Sequence, residues 1–130
     1  MSVPKNKKVI GELNLEIGKF KFYDNILIGE INEGINMEFK NFLKLMNLIK
    51  EIYDDKPIVY ISNRVNSYSI DPIGYRNALK FFPKIIGYSV VTNKKPVLSS
   101  IAIEKRFFKS EVLVFKDMEL AVNWAKIILN

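Results

Sequence analysis

The chain contains no cysteine and no histidine in 130 residues. Without them there are no disulfides, no thiolate nucleophile, no Cys/His zinc site, no imidazole acid–base catalysis and no Ser-His or Cys-His pair. No glycine spacing matches a phosphate-binding loop, a dinucleotide fingerprint or a calcium loop. Long apolar runs are missing as well. Charges interrupt the sequence throughout, no stretch approaches the ~20 apolar residues of a membrane span, and Met1-Ser2-Val3-Pro4-Lys5-Asn6-Lys7-Lys8 lacks a signal peptide's apolar segment. These absences predict a cytoplasmic, non-enzymatic chain with no cofactor, no bound metal and no transmembrane segment.

What remains is enough for one domain. A chain of this length buries about two thirds of its unfolded surface, and 48% of the residues are hydrophobic. The net charge of +6 is unevenly spread, since residues 1–65 carry 10 Lys/Arg against 9 Asp/Glu and residues 66–130 carry 10 against 5. Between Arg76 and Lys109 the cations Arg76, Lys80, Lys84, Lys94, Lys95, Lys105, Arg106 and Lys109 face Glu104 as the lone carboxylate. Such a segment attracts an acidic protein, an anionic lipid headgroup or nucleic acid, or it is a set of solvated helix faces. Phe81-Phe82 and Phe107-Phe108 interleave with these cations as in a base-stacking surface. Helical spacing turns at least one phenylalanine of each pair inward, which counts against nucleic acid as the partner.

Hydropathy patterning gives the elements. Leu13–Ile17 and Lys19–Tyr23 read as one extended run broken at Gly18, paired through an Asp24-Asn25 turn with Ile26–Ile31. From Met37 to Tyr53, Phe39, Phe42, Leu43, Met46, Ile49, Ile52 and Tyr53 recur at three and four, predicting an amphipathic helix that ends at Asp54-Asp55-Lys56-Pro57. Ile58–Ile61 is a strand. Asp71 caps the next helix with Pro72 at its first position, and that helix ends near Phe82-Pro83. Ile86–Thr92 is a strand, followed by the turn Asn93-Lys94-Lys95 and a helix from Pro96 whose inward face uses Leu98, Ile101, Ala102, Phe107 and Phe108. Glu111–Phe115 is the last strand. Asp117 caps a final helix with an inward stripe of Leu120, Ala121, Trp124, Ala125 and Ile128. The order β-β-α-β-α-β-α-β-α predicts an α/β domain, a mixed β-sheet with helices packed against it. The open edge of the opening hairpin suggests a homodimer, with Lys19 and Lys21 as residues that would block such pairing.

The element order, the segment Ile58–Gly74 and the closing Val112-Leu113-Val114-Phe115-Lys116-Asp117-Met118-Glu119-Leu120-Ala121 resemble the SpoIIAA-like (STAS) domains. Ile61-Ser62-Asn63-Arg64-Val65-Asn66-Ser67-Tyr68-Ser69 is similar to a bacterial branch of that group also described as Sec14-like. The resemblance covers residues 12–129 and leaves residues 1–11 as a flexible basic N-terminus before a domain of residues 12–130. It implies a small regulatory or ligand-binding module that does no chemistry. Bacterial anti-sigma-factor antagonists of this fold bind a kinase and are switched by phosphorylation of a serine in an Asp-Ser-Ser-Gly-Leu type segment at the start of the second helix. The corresponding stretch here is Tyr68-Ser69-Ile70-Asp71-Pro72, where Ser69 is the candidate acceptor, the Asp-Ser-Ser order is absent and Asp71-Pro72 replaces the glycine region.

The loop after Ile58–Ile61 is therefore the candidate binding site, with Asn63, Arg64, Asn66, Ser67, Tyr68 and Ser69 as its residues. Loops beyond the carboxyl ends of α/β strands are where such domains bind. Each residue also has a structural reading. The amides and hydroxyls can satisfy their own turns, Tyr68 can pack as an aromatic, and Asp71 can serve as a cap. Arg64 offers a planar five-donor group to a phosphate or a partner's carboxylate, or to a glutamate within the chain. A protein partner is the first expectation, and a small anionic ligand or lipid headgroup the alternative.

Overall fold

Alternation in the opening segment builds an antiparallel meander of β1 (Val9–Leu15), β2 (Gly18–Tyr23) and β3 (Ile26–Ile31). The computed structural model describes residues 9–81, 84–93 and 100–130. Leu15 pairs with Gly18, and Gly18 with Ile31. The expected single run over Leu13–Tyr23 is thus two strands, because the chain reverses at Glu16-Ile17. Ile17 is buried and its carbonyl accepts from the Asn32 N–H at 2.9 Å, so an apolar turn residue reads as strand in the sequence. Pairing of Val9 with Tyr23 places residues 9–11 in β1 as well.

The remaining strands of the main sheet are β5 (Ile58–Asn63), β7 (Ile85–Val91) and β8 (Val112–Phe115), all parallel to β3 in the order β1-β2-β3-β5-β7-β8. A second, two-residue parallel pair joins β4 (Asn36–Met37) to β6 (Ser69–Ile70). Neither of these short strands was visible as periodicity. The mixed α/β class holds, with four helices among the described residues: α1 (Phe39–Tyr53), α2 (Pro72–Ala78), α3 (Ser100–Phe107) and α4 (Met118–Leu129). None is long and apolar enough to cross a membrane.

Helices α1, α2 and α3 cover one face. Phe42, Met46, Tyr75, Ile101 and Phe108 meet Phe20, Leu27 and Tyr88 there. Helix α4 covers the other face, where Ala121, Val122 and Ala125 meet Ile28, Val59, Ile61 and Val91. Each large side chain so buried contributes roughly 1.5–3 kcal/mol. Beside α4, the described residues on the meander part of this face are Glu12, Asn14, Lys19, Lys21 and Glu30 next to the buried Ile28. Lys19 and Lys21 therefore sit on an interior strand, and among the described residues the edge strands are β1 and β8.

Several predicted faces turn. The first helix begins at Phe39 because Met37 belongs to β4, and Asn41 accepts from the Glu38 N–H at 2.9 Å to close its first turn. It ends at Asp54, whose φ of 55° lets its N–H return to the Lys50 carbonyl at 2.8 Å. Its buried residues are Phe42, Leu45, Met46, Ile49 and Tyr53, while Phe39 and Ile52 stay more than a third exposed. In α3 Ala102 is exposed and Phe107 half-buried, and Leu98 lies outside the described residues. In α4 Met118, Ala121, Val122 and Ala125 face inward and Leu120 faces out. That stripe also recurs at three and four, and the buried Met118 directly after the Asp117 cap sets its phase.

Asp71 accepts from the Gly74 N–H at 3.2 Å, which starts α2 as its Asp-Pro signal predicts. Helix α2 then tightens into a 3₁₀ turn, Leu79–Phe81. The start of α2 crosses the start of α1 so closely that a Cβ on Gly74 would lie 2.7 Å from the Phe39 nitrogen. Gly74→Ala should therefore cost about 1–3 kcal/mol, whereas Gly11→Ala, which meets nothing within 4 Å, should leave the melting temperature nearly unchanged. Equal thermal midpoints for the two variants would contradict this close crossing.

Candidate functional site

The pleat of β5 divides its residues between the two layers. Ile58 and Tyr60 join the core beneath α1–α3, and Val59 and Ile61 join the core beneath α4. One step of the same alternation beyond Ser62 brings Arg64, whose backbone N–H donates to the Val91 carbonyl at 2.9 Å. Its side chain turns inward and is only 7% exposed.

There it meets Glu104 of α3, itself 4% exposed. One guanidinium nitrogen pairs with a Glu104 oxygen, and the Tyr88 hydroxyl donates to the other. The same nitrogen lies 3.3 Å from the Tyr88 hydroxyl oxygen, while Arg64 Nε donates to Ser62 Oγ at 2.9 Å. The guanidinium carbon stands 4.7 Å from the centre of the Tyr68 ring, and the hydroxyls of Tyr68 and Ser62 are 3.3 Å apart. Tyr60 stacks on Tyr88 with ring centres 5.3 Å apart.

Burial pushes the Glu104 carboxyl above its ordinary value, with Arg64 pulling the other way. For Arg64 burial pulls downward most strongly of any one influence, but Glu104 together with the phenols of Tyr68 and Tyr60 outweighs it and leaves the guanidinium above its ordinary value. Burial also drives the phenols of Tyr60, Tyr68 and Tyr75 upward. These hydroxyls are hydrogen-bonding groups at neutral pH, not bases. The cluster's evident physical work is to clamp α3 onto β5 and β7.

Against it lies a cavity of about 30 Å³ walled by Met37, Met46, Tyr60, Tyr75, Glu104 and Phe108, among others. That is room for one or two waters. Among the described residues no group of three or more carboxylates stands close enough to hold a metal ion.

The other loop residues are stitched to the end of β3 and to the chain between β3 and α1. Asn63 Nδ2 reaches Glu30 at 3.4 Å and Asn66 Nδ2 donates to the Ile31 carbonyl at 3.0 Å. The Ser67 N–H donates to Glu33 at 2.9 Å, and Ser69 Oγ donates to Asn36 Oδ1 at 2.8 Å. The structure thus gathers Arg64 and Tyr68 into the interior cluster, turns Asn63 and Asn66 toward backbone and side chains of the β3 end, and leaves Ser67 and Ser69 at the surface.

Within the loop Val65 is 54% exposed, and outside it Ile73 is 61% and Phe81 55% exposed. Phe39 stands edge-on to Phe81 with ring centres 6.1 Å apart, and Arg76 and Lys80 are exposed on the same short helix and its 3₁₀ turn. Sequence reasoning passed over Phe39 and Ile73, placing the first in a buried stripe. It also missed Glu104, although two signals were available. Glu104 is the lone acid in a basic segment, and it stands at helical spacing between the buried Ile101 and Phe108.

Comparison with family models, curated proteins and solved structures finds no match for this chain.

Two outcomes follow from the cluster. Glu104→Ala leaves a buried cation uncompensated and should cost about 3–5 kcal/mol in urea unfolding, while the Arg64→Met, Glu104→Leu pair should lose clearly less than the two single changes summed. Additive losses would mean the two groups are not coupled. The second outcome concerns alkaline pH. Burial holds Tyr53, Tyr60, Tyr68 and Tyr75 protonated in the folded state above their ordinary value of about 10. Above that pH the unfolded chain releases these protons and the folded one does not, so stability should fall by up to about 1.4 kcal/mol per tyrosine per pH unit. Tyrosinate absorbance at 295 nm should then rise in one step with loss of far-ultraviolet ellipticity. A gradual rise while the helix signal persists would contradict the burial.

Proposed function

We propose that this chain is a non-enzymatic regulatory module that works by binding a protein partner. The reading draws on what the SpoIIAA-like resemblance implies, and one observation carries it: Ile73, Phe81 and Phe39 expose large apolar surface across the start of α1 and the outer side of α2. Grouped exposed apolar side chains mark interaction sites, whereas scattered ones do not. Arg76 and Lys80 border them, which suits a partner segment with an apolar ridge and acidic flanks. In this reading the loop after β5 braces the face, and Val65, Ser67 and Ser69 are its reach into solvent. Ser69, exposed two residues before the Asp71 cap, is the candidate phosphate acceptor.

The alternative is a carrier for a small anionic ligand or lipid headgroup, drawing on the exposed Lys84, Lys105, Arg106 and Lys109. A cavity of about 30 Å³ cannot admit an acyl chain without opening, which favours the partner reading.

The test is affinity capture from lysate of the source organism, quantified by mass spectrometry. One protein recovered with wild type and with Lys50→Glu, but reduced at least ~10-fold by Ile73→Glu and by Phe81→Glu, is the expected result. Recovery unaffected by either substitution would overturn the proposed face. Arg64→Ala is unsuitable here because it breaks the internal pair.

A further inference from the structure

Helix α4 buries Met118, Ala121, Val122 and Ala125 against the sheet and presents a second, outward apolar stripe. Ile127 is 73% exposed, the highest value among the described large apolar residues, and Leu120 is 48% exposed. Seven residues apart, they lie almost one above the other on the helix. Along the helix between them stand the exposed Asn123 and Trp124, whose ring is partly buried against Phe115 with centres 5.7 Å apart. Glu119 and Lys126, also seven apart, run along one flank of the same stripe.

This pattern is self-complementary. When two copies of such a helix pack antiparallel about a two-fold axis beside Asn123 and Trp124, Leu120 meets the partner's Ile127 at the same height, and the reverse contact forms on the other side of the axis. The operation keeps each flank on its own side, so Glu119 faces the partner's Lys126, offset by about 3 Å along the helix. Two apolar contacts and two opposite-charge pairs arise from one stripe. A parallel two-fold would carry that flank to the opposite side of the seam, so Glu119 and Lys126 would find no opposite charge from each other's copies across it.

We propose that the outer face of α4 is a self-association surface and that its partner is a second copy of this chain, bound antiparallel through Leu120 and Ile127 with Glu119–Lys126 pairs along one flank. Twelve residues of helix span about 18 Å. A contact of that length falls at the small end of specific interfaces, so the dimer is reversible and concentration-dependent. The surface lies on the layer opposite α2, and the inference does not rest on the function proposed for that helix.

Sedimentation velocity tests it, with protein on the order of 100 µM, a range suited to weak interfaces. The expected species has twice the 15.1 kDa of the chain. Ile127→Glu should leave the thermal midpoint unchanged and weaken dimerisation at least ~10-fold. Glu119→Lys should weaken it several-fold, and adding Lys126→Glu in the same chain should restore it. Because the chain has no cysteine, single-cysteine variants add an independent readout: Asn123→Cys should form a disulfide-linked dimer on mild oxidation, and Leu13→Cys on the edge strand should not. A wild-type monomer at this concentration, a dimer indifferent to Ile127→Glu, or crosslinking by the Leu13 variant alone would each overturn the proposal.

Discussion

A carboxylate with 4% of its side chain exposed is tolerable only when a cation comes to meet it, and here that cation arrives from the far end of β5. Desolvating both ions costs several kcal/mol apiece, and their attraction recovers this only with good geometry and with the remaining lone pairs and protons satisfied. Ser62, Tyr68 and Tyr88 supply those further contacts. The loop must therefore hold Arg64 inward, and α3 must keep Glu104 facing the sheet. The backbone bond from Arg64 to Val91 and the apolar anchors Ile101 and Phe108 keep each residue in its place. Polar residues that look like a recognition sequence thus serve in good part to fix the direction of one arginine.

With the loop so occupied, the available surface shifts to its neighbours. Helix α2 and the start of α1 offer an apolar, cationic face on one layer, and α4 offers an apolar stripe flanked by both signs of charge on the other. The two faces use different elements on opposite sides of the sheet, so neither contact need displace the other. A module that binds a partner on one side and its own copy on the other could present two partner sites in a single assembly, where a weak dimer contact adds avidity without a change at the partner face.

Much of this was legible in the chain. Asp71-Pro72 and Asp117 gave the starts of α2 and α4, and the runs at Ile26–Ile31, Ile58–Ile61 and Ile86–Thr92 gave the central strands to within two residues. The inward direction of Arg64 could have been read by continuing the alternation of Ile58, Tyr60 and Ser62 by one more step. What could not be read had physical causes. Ile17 fills a turn with an apolar side chain, which periodicity counts as strand. β4 and β6 are two residues each, too short to show any period. The phase of α4 depends on how Met118 seats against the sheet, and several apolar residues on each side of that helix make two different stripes equally regular. The exposed Phe39 and Ile73 depend on where α2 crosses α1, a contact permitted by a missing side chain at Gly74.

Most of β1 and β2 is packed on one face and, among the described residues, carries polar side chains on the other, whereas β3, β5 and β7 are covered on both. The molecule is in effect three layers deep at its centre and two at the β1 side. Protection against local opening follows burial and pairing, so amide hydrogens in β5 and β7 are held by the whole domain. Among the described residues β1 pairs with β2 alone, so its amides are held through the meander. Resistance to exchange with solvent is therefore graded across the sheet, greatest in the strands at its centre and falling toward the strand that begins it.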